Sequence, residues 1–313
     1  MRGIEISRAF FEEYGRPMLE EQFPEWMPYL CAGLFGSGSE CFGFDDEVSR
    51  DHDFEPGFCL LLPPEDVVDR RTAFLMERAY TKLPREFMGL KRPLMAPVGG
   101  ARHGVLRIDD VFLDKVGSAD GILTVKDWLT LPESSLAEAV NGEIFFDNYG
   151  QVTRLRENLR FYPEEIRRKK LAGHVLLMAQ SGQYNYQRCL AHGELAAAQL
   201  AVVEFVQHTM AAVFLLNRVY RPYYKWSFRA MRALPKLSLL AEVLEYLLTT
   251  GNEAPLSEEK YDVIEGIAAD IIEELSFQGL TQAICGDLEK HAYSINDGIT
   301  DADVRNLHIL AGV

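Results

Sequence analysis

Apolar residues at three-and-four spacing open the chain. Phe10, Phe11, Tyr14, Met18 and Leu19 predict one buried face of a helix over residues 6–22. An apolar stretch, YLCAGLF (29–35), then runs into an abrupt small-residue turn, GSGS (36–39). After a loop rich in Gly and Asp, the segment DHDFEPGFCLLLP (51–63) reads as a second strand. Its apolar run, Phe58 to Leu62, suits a central strand covered on both faces. Pro63-Pro64 ends it, and Glu65 or Asp66 opens a helix over 66–80 with acids in its first turn. Residues 84–100 are rich in Pro and Gly and read as a loop. HGVLRIDDVFL (103–113) is a third candidate strand, and GEIFFD (142–147) a short fourth, closed by Asn148-Tyr149-Gly150.

Beyond about residue 155 the period changes to that of helices. Leu237, Leu240, Leu244 and Leu247 step along one helix face, and Tyr261, Ile264, Ala268, Ile271 and Leu275 along another. Ser257 is the expected N-cap of the second, with Gly279 past its end. The most apolar stretch, Leu195 to Leu216, is broken by Gln199, Glu204, Gln207 and His208, which predicts a core helix and not a membrane span. The pattern divides the chain into a mixed half, 1–150, and an all-helical half, 151–313: an α+β protein.

The 313 residues are 48% hydrophobic and 25% charged, a globular composition that argues against a disordered or fibrous chain. Lys and Arg number 32 against 47 Asp and Glu, a net charge of −15. General nucleic-acid binding, which needs a basic footprint, is therefore not expected. Five scattered cysteines without a CxxC pair, and an acid-containing N-terminus without a long apolar run, predict reduced thiols and a cytoplasmic protein. RRKK (167–170) reads as a solvated helix face.

The chemistry concentrates in LFGSGSECFGFDDEVSRDHDFEPGFCLLLP (34–63). On a strand, Asp51 and Asp53 point to one face about 7 Å apart, and their oxygens suit a hard divalent cation. Upstream, Gly36, Ser37, Gly38 and Ser39 follow an apolar strand. Glycine allows close backbone approach to an anion, and amides and hydroxyls hold phosphate oxygens. Ser49 and Arg50 add a hydroxyl and a cation just before the acids. An isolated DxD is commonly a solvated pair and an isolated GSGS a flexible turn. The combination is more specific: apolar strand, GSGS, about a dozen residues, then DxD opening a second apolar strand.

This pattern resembles the DNA polymerase β nucleotidyltransferase superfamily. More narrowly, GSGSECFGFDDEVSRDHDF is similar to the bacterial family called domain of unknown function 4037. The similarity continues through GEIFFDNYGQVTRLRENLRFYPEEIRRKKL (142–171) and LLNRVYRPYYKW (215–226). The resemblance implies a nucleotidyltransferase-like mixed sheet with flanking helices, followed by a helical domain. It implies that Gly36–Ser39 hold a nucleoside triphosphate, ATP by first choice, with Ser49 and Arg50 assisting, and that Asp51 and Asp53 bind Mg²⁺. The superfamily's third carboxylate has four candidates here: Asp109, the first choice, and Asp110, Glu143 and Asp147. In RPYYKW, Lys225 is placed to reach a phosphate and an aromatic to stack on a base; the same residues also read as packing at a helix end. Arg188 and His192 share a helix face.

Competing motifs are absent or incomplete. No GxxxxGK[ST] occurs, GSGSEC lacks the third glycine of a dinucleotide fingerprint, and FGSGSE lacks the full hydrolase elbow. The expectation is transfer of a nucleotidyl group to a hydroxyl of a small-molecule acceptor, with release of pyrophosphate. The alternatives are a nucleotide-binding regulatory protein without turnover, or an antitoxin-like partner module.

Overall fold

The apolar run before the small-residue turn forms β1 (Cys31–Leu34), and the run after the paired acids forms β2 (Cys59–Leu62); every residue of both is buried. The computed structural model describes residues 1–48, 55–92 and 103–313. β1 and β2 pair antiparallel, Cys31 opposite Leu61 and Gly33 opposite Cys59. β3 (Gly104–Arg107) runs parallel to β2, and β4 (Glu143–Asp147) antiparallel to β1, giving the order β3-β2-β1-β4. With this register the end of β1 and the starts of β2, β3 and β4 lie along one edge. The small-residue turn emerges there.

Helices flank the sheet. The N-terminal helix runs through a π-helical turn, Phe11–Gly15, between α-helical Gly3–Phe10 and Arg16–Gln22. Phe10 and Phe11 are fully buried and pack on Phe58, just ahead of β2. Any side chain at Gly15 would start 2.6 Å from the Phe58 ring, so glycine permits that approach. Tyr80 secures the same point: its hydroxyl accepts from the Phe58 amide at 3.1 Å and donates to the Phe58 carbonyl at 2.8 Å.

Several boundaries differ from the sequence pattern. Only Gly104–Arg107 of the third segment is strand, and Ile108–Val116 is helix, so Asp109 and Asp110 lie in a helical first turn and not at a strand end. The RIDD acids favour that turn because they meet the positive end of the helix dipole. The Arg70–Thr81 helix starts later than expected, capped by Asp69, whose carboxylate accepts from the Thr72 amide at 2.7 Å. Leu237 has φ +59 and precedes the Leu240–Thr249 helix. Ser257 is buried inside the Leu256–Phe277 helix and is not its cap.

Residues 1–123 with 132–160 form one unit; residues 124–131 with 161–313 form a second. Among the described residues no strand follows β4, so a portion with the four-stranded sheet precedes a helical one. That portion also holds a short antiparallel hairpin, Glu86–Phe87 with Leu90–Lys91, inside the stretch expected to be loop. The Leu195–Asn217 helix is long and apolar enough to cross a membrane, but 67% of its most apolar window is buried inside the protein.

The RRKK run overturns its expectation: Arg167, Lys169 and Lys170 are buried, Lys169 completely. Their targets are oxygens near helix ends, where carbonyls lack intrahelical partners. Arg167 donates to the Leu215 carbonyl at 3.2 Å and binds Glu164. The Lys169 ammonium donates to Asn296 Oδ1 (2.7 Å) and to the carbonyls of Leu307 (2.8 Å) and Arg305 (3.1 Å). Lys170 reaches the Gly312 carbonyl at 2.5 Å. A solvated stripe and a set of buried cross-links have the same sequence, because the acceptors are backbone groups far along the chain.

His174 and His208 meet between two of these helices, Nδ1 to Nδ1 at 2.9 Å. Burial, reinforced by His208, Lys170 and Arg221, holds His174 well below the ordinary imidazole range. Burial also lowers His208, with Glu204 partly opposing and Arg221 adding. The folded chain therefore binds fewer protons than the unfolded chain just below the ordinary histidine pKa, and stability falls on acidification. Each missing proton contributes a slope of about 1.4 kcal/mol per pH unit. The thermal midpoint should fall from pH 7 to pH 5, with a shallower fall in His208→Gln. Equal slopes for the two proteins would contradict the assignment.

Candidate functional site

At the end of β1 the chain turns through Gly36, whose φ of +123 is a conformation that favours glycine. Asn141, just after the Glu133–Val140 helix, takes both backbone groups of Gly36. Its Oδ1 accepts from the Gly36 amide and its Nδ2 donates to the Gly36 carbonyl, each at 2.8 Å. Gly36 is thus a shaped corner, with its own N–H already used. The next residue, Ser37, is exposed, while Gly38 is buried and Ser39 half-buried at the start of the short Ser39–Phe42 helix.

The turn opens onto a cavity of about 580 Å³ lined by Gly36, Ser37, Asp110, Asp114, Lys115 and Glu138, among others. Three of these side chains come from the Ile108–Val116 helix: Asp110 and Asp114 share a face at four-residue spacing, and Lys115 follows on the adjoining side. The Lys115 ammonium lies 3.2 Å from Glu138 Oε2 and 3.4 Å from where a side chain at Gly36 would begin. A cation beside a glycine corner, with carboxylates and a hydroxyl in the same cavity, is suited to an anion and its counter-cation. A lone anion would meet repulsion from Asp110, Asp114 and Glu138.

The four third-carboxylate candidates separate clearly. Asp110 lines the cavity. Asp109 Oδ1 accepts from Gln151 Nε2 at 3.3 Å. Glu143, on β4, is paired with Arg8. Asp147 accepts from the amides of Gly150 (2.9 Å) and Thr153 (2.7 Å), organising the turn after β4. Ser49, Arg50, Asp51 and Asp53 lie outside the described residues. Among the described residues no group of three or more His, Cys, Asp or Glu side chains is arranged to hold a metal.

In the helical unit, the exposed Lys225 places its ammonium 4.9 Å from the Trp226 ring centroid, and the Tyr223 and Tyr224 rings lie 4.4 Å apart. Arg188 stacks over Tyr184 at 5.0 Å, with His192 following the end of the Tyr186–Ala191 helix.

Lys115, Asp114, Glu138 and Asn141 are the site residues that the sequence pattern passed over. The signal for Asp114 was its four-residue step from Asp110, with Lys115 next to it, legible only once a helix is recognised from Ile108 onward. Glu138 and Asn141 carry no local motif and reach the turn only through the tertiary fold.

Gly36→Ala should destabilise the protein by about 1–3 kcal/mol, because alanine is strained at this φ. Urea unfolding measures the difference, and an unchanged midpoint and slope would contradict the role given to the corner.

Among known proteins, the family model for a domain of unknown function (DUF4037) matches residues 128–227, less than half of the chain. No curated protein matches. Among solved structures, the chain is similar to a nucleotidyltransferase-like protein from Exiguobacterium sibiricum, with 13% sequence identity, a TM-score of 0.38 and 90% of each chain covered.

Proposed function

We propose that this chain is a nucleotidyltransferase. It uses Mg²⁺ and a nucleoside triphosphate, ATP by first choice, to transfer a nucleoside monophosphate to a hydroxyl of a small-molecule acceptor. The observation that carries this reading is the Gly36–Ser37 corner opening onto a cavity that also holds Lys115 and Asp110. The proposed cellular compartment is the cytoplasm.

Each described residue has a distinct task. Ser37 and Ser39 offer hydroxyls to phosphate oxygens. Lys115 neutralises charge on the leaving pyrophosphate and exchanges its contact with Glu138 for one with phosphate. The acceptor oxygen forms a bond to the α-phosphorus, the bond from that phosphorus to the α–β bridging oxygen breaks, and pyrophosphate departs with the electron pair. The acceptor proton passes to a carboxylate. Asp110 is preferred for this over Asp109, whose carboxylate is engaged by Gln151.

In support of Mg²⁺, Asp110 and Asp114 line the cavity with carboxylate oxygens of the kind that hard cation prefers, as additions to Asp51 and Asp53 and not as a metal site by themselves. Asp51 and Asp53 are the proposed principal ligands, with Ser49 and Arg50 beside the phosphates. When bound, Mg²⁺ supplies charge neutralisation on the triphosphate. Lys225 is a further proposed phosphate contact.

A thermal-shift titration with each triphosphate, with and without Mg²⁺, tests the reading. Ligand at a hundred times its dissociation constant should add about 2.7 kcal/mol to stability. Asp51→Ala should keep the ligand-free midpoint but lose the Mg²⁺-dependent shift, and Lys115→Ala should weaken binding at least tenfold. No shift with any triphosphate would contradict the proposal. Binding without pyrophosphate release across an acceptor screen would favour a regulatory nucleotide-binding protein, and fixed-stoichiometry copurification of another protein a partner module.

A further inference from the structure

We infer that Asn141 and Arg156 are positioning residues that set the triphosphate-binding corner, an inference that rests on the nucleotide reading above. Neither side chain is needed to touch the ligand. They act through the Phe35 ring and the Gly36 backbone.

The chain of contacts begins at the Gln151–Asn158 helix, which carries Arg156. Its Nη2 donates to the carbonyls of Val140 and Asn141, both at 2.5 Å. These carbonyls belong to the end of the Glu133–Val140 helix, where the α-helical pattern leaves acceptors without partners. Arg156 therefore holds the backbone from which the Asn141 side chain projects. Asn141 then closes a two-bond ring on Gly36, donating to its carbonyl and accepting from its amide, each at 2.8 Å. That ring imitates a strand partner at a position where β4 has not yet begun.

A second route reaches the same corner. The Arg156 guanidinium lies over the Phe35 ring at 5.7 Å, and Phe35 stacks on Phe112 of the helix that carries Asp110 and Lys115. One half-buried cation thus bears on Phe35 directly and on Gly36 through Asn141. With the Gly36 amide already bonded, the corner's orientation is fixed before a ligand arrives, and the phosphate-facing donors begin at Ser37. Preorganisation of this kind improves ligand affinity by removing the cost of ordering the loop.

Asn141→Ala removes the ring and Asn141→Asp keeps only the acceptor for the Gly36 amide. Hydrogen exchange of the Gly36 amide in the ligand-free protein reads the clamp itself, and equilibrium binding of ATP with Mg²⁺, of ADP with Mg²⁺ and of adenosine reads its consequence. Asn141→Ala should speed Gly36 exchange and weaken ATP and ADP about tenfold, which is about 1.4 kcal/mol, while adenosine affinity stays within twofold. Asn141→Asp should fall between it and wild type. Arg156→Lys leaves Asn141 in place and should move the same readouts in the same direction; it carries the test if Asn141→Ala does not fold. Equal weakening of all three ligands, or wild-type ATP affinity despite fast Gly36 exchange, would overturn the inference. A wild-type protein that binds neither ATP nor ADP overturns the nucleotide reading first, and the assigned role with it.

Discussion

The approach of residues 141–143 to the end of β1 determines what the candidate site is. A side chain at Gly142 would start 2.1 Å from the Leu34 carbonyl, and Gly142 itself has φ +64. Its amide donates to the Cys41 carbonyl at 2.9 Å, so this glycine lies between the end of β1 and the short helix after the turn. Only a residue without a side chain permits that contact. Asn141 is thereby carried to Gly36 and Glu138 to Lys115, while Glu143 pairs in register with Leu34 to start β4. Three tasks (joining β4 to the sheet, shaping the corner and lining the cavity) depend on one close crossing.

The helical unit uses a different device. Arg167, Lys169 and Lys170 give the Glu164–Met178 helix a row of cations directed at backbone oxygens. Lys260 extends the theme. It is fully buried and donates to Gln199 Oε1, Asn252 Oδ1 and the Thr250 carbonyl, while burial brings its pKa down to about 8. A buried ammonium is tolerated when its three donors are matched, and such matching gives a helical array one preferred register. Apolar stripes alone are more permissive.

The elements whose periodicity is local were legible in the sequence. Phe58–Leu62 predicts a buried strand, and Cys59–Leu62 is one. Leu195–Leu216 predicts a core helix and packs as one. What failed was local pattern against long-range acceptors. RRKK looks solvated because nothing nearby in sequence says that Leu215, Leu307 and Gly312 will offer carbonyls. HGVLRIDDVFL looks like a strand throughout because its apolar run continues across Arg107 into the helix, and only the helix dipole argues for ending it there. At the candidate site, GSGS was visible as a turn, whereas the residues that shape and line its cavity, Asn141, Glu138 and Lys115, gain their meaning from the fold.

The nucleotide reading is most directly open to a residue-resolved titration. Amide ¹H–¹⁵N spectra would be followed while a non-hydrolysable ATP analogue and Mg²⁺ are added. Saturable perturbation of Ser37 and Ser39, together with the Lys115 backbone amide, is the predicted result. Saturating binding that leaves residues 36–39 and 115 unmoved, or no binding at all, would contradict it.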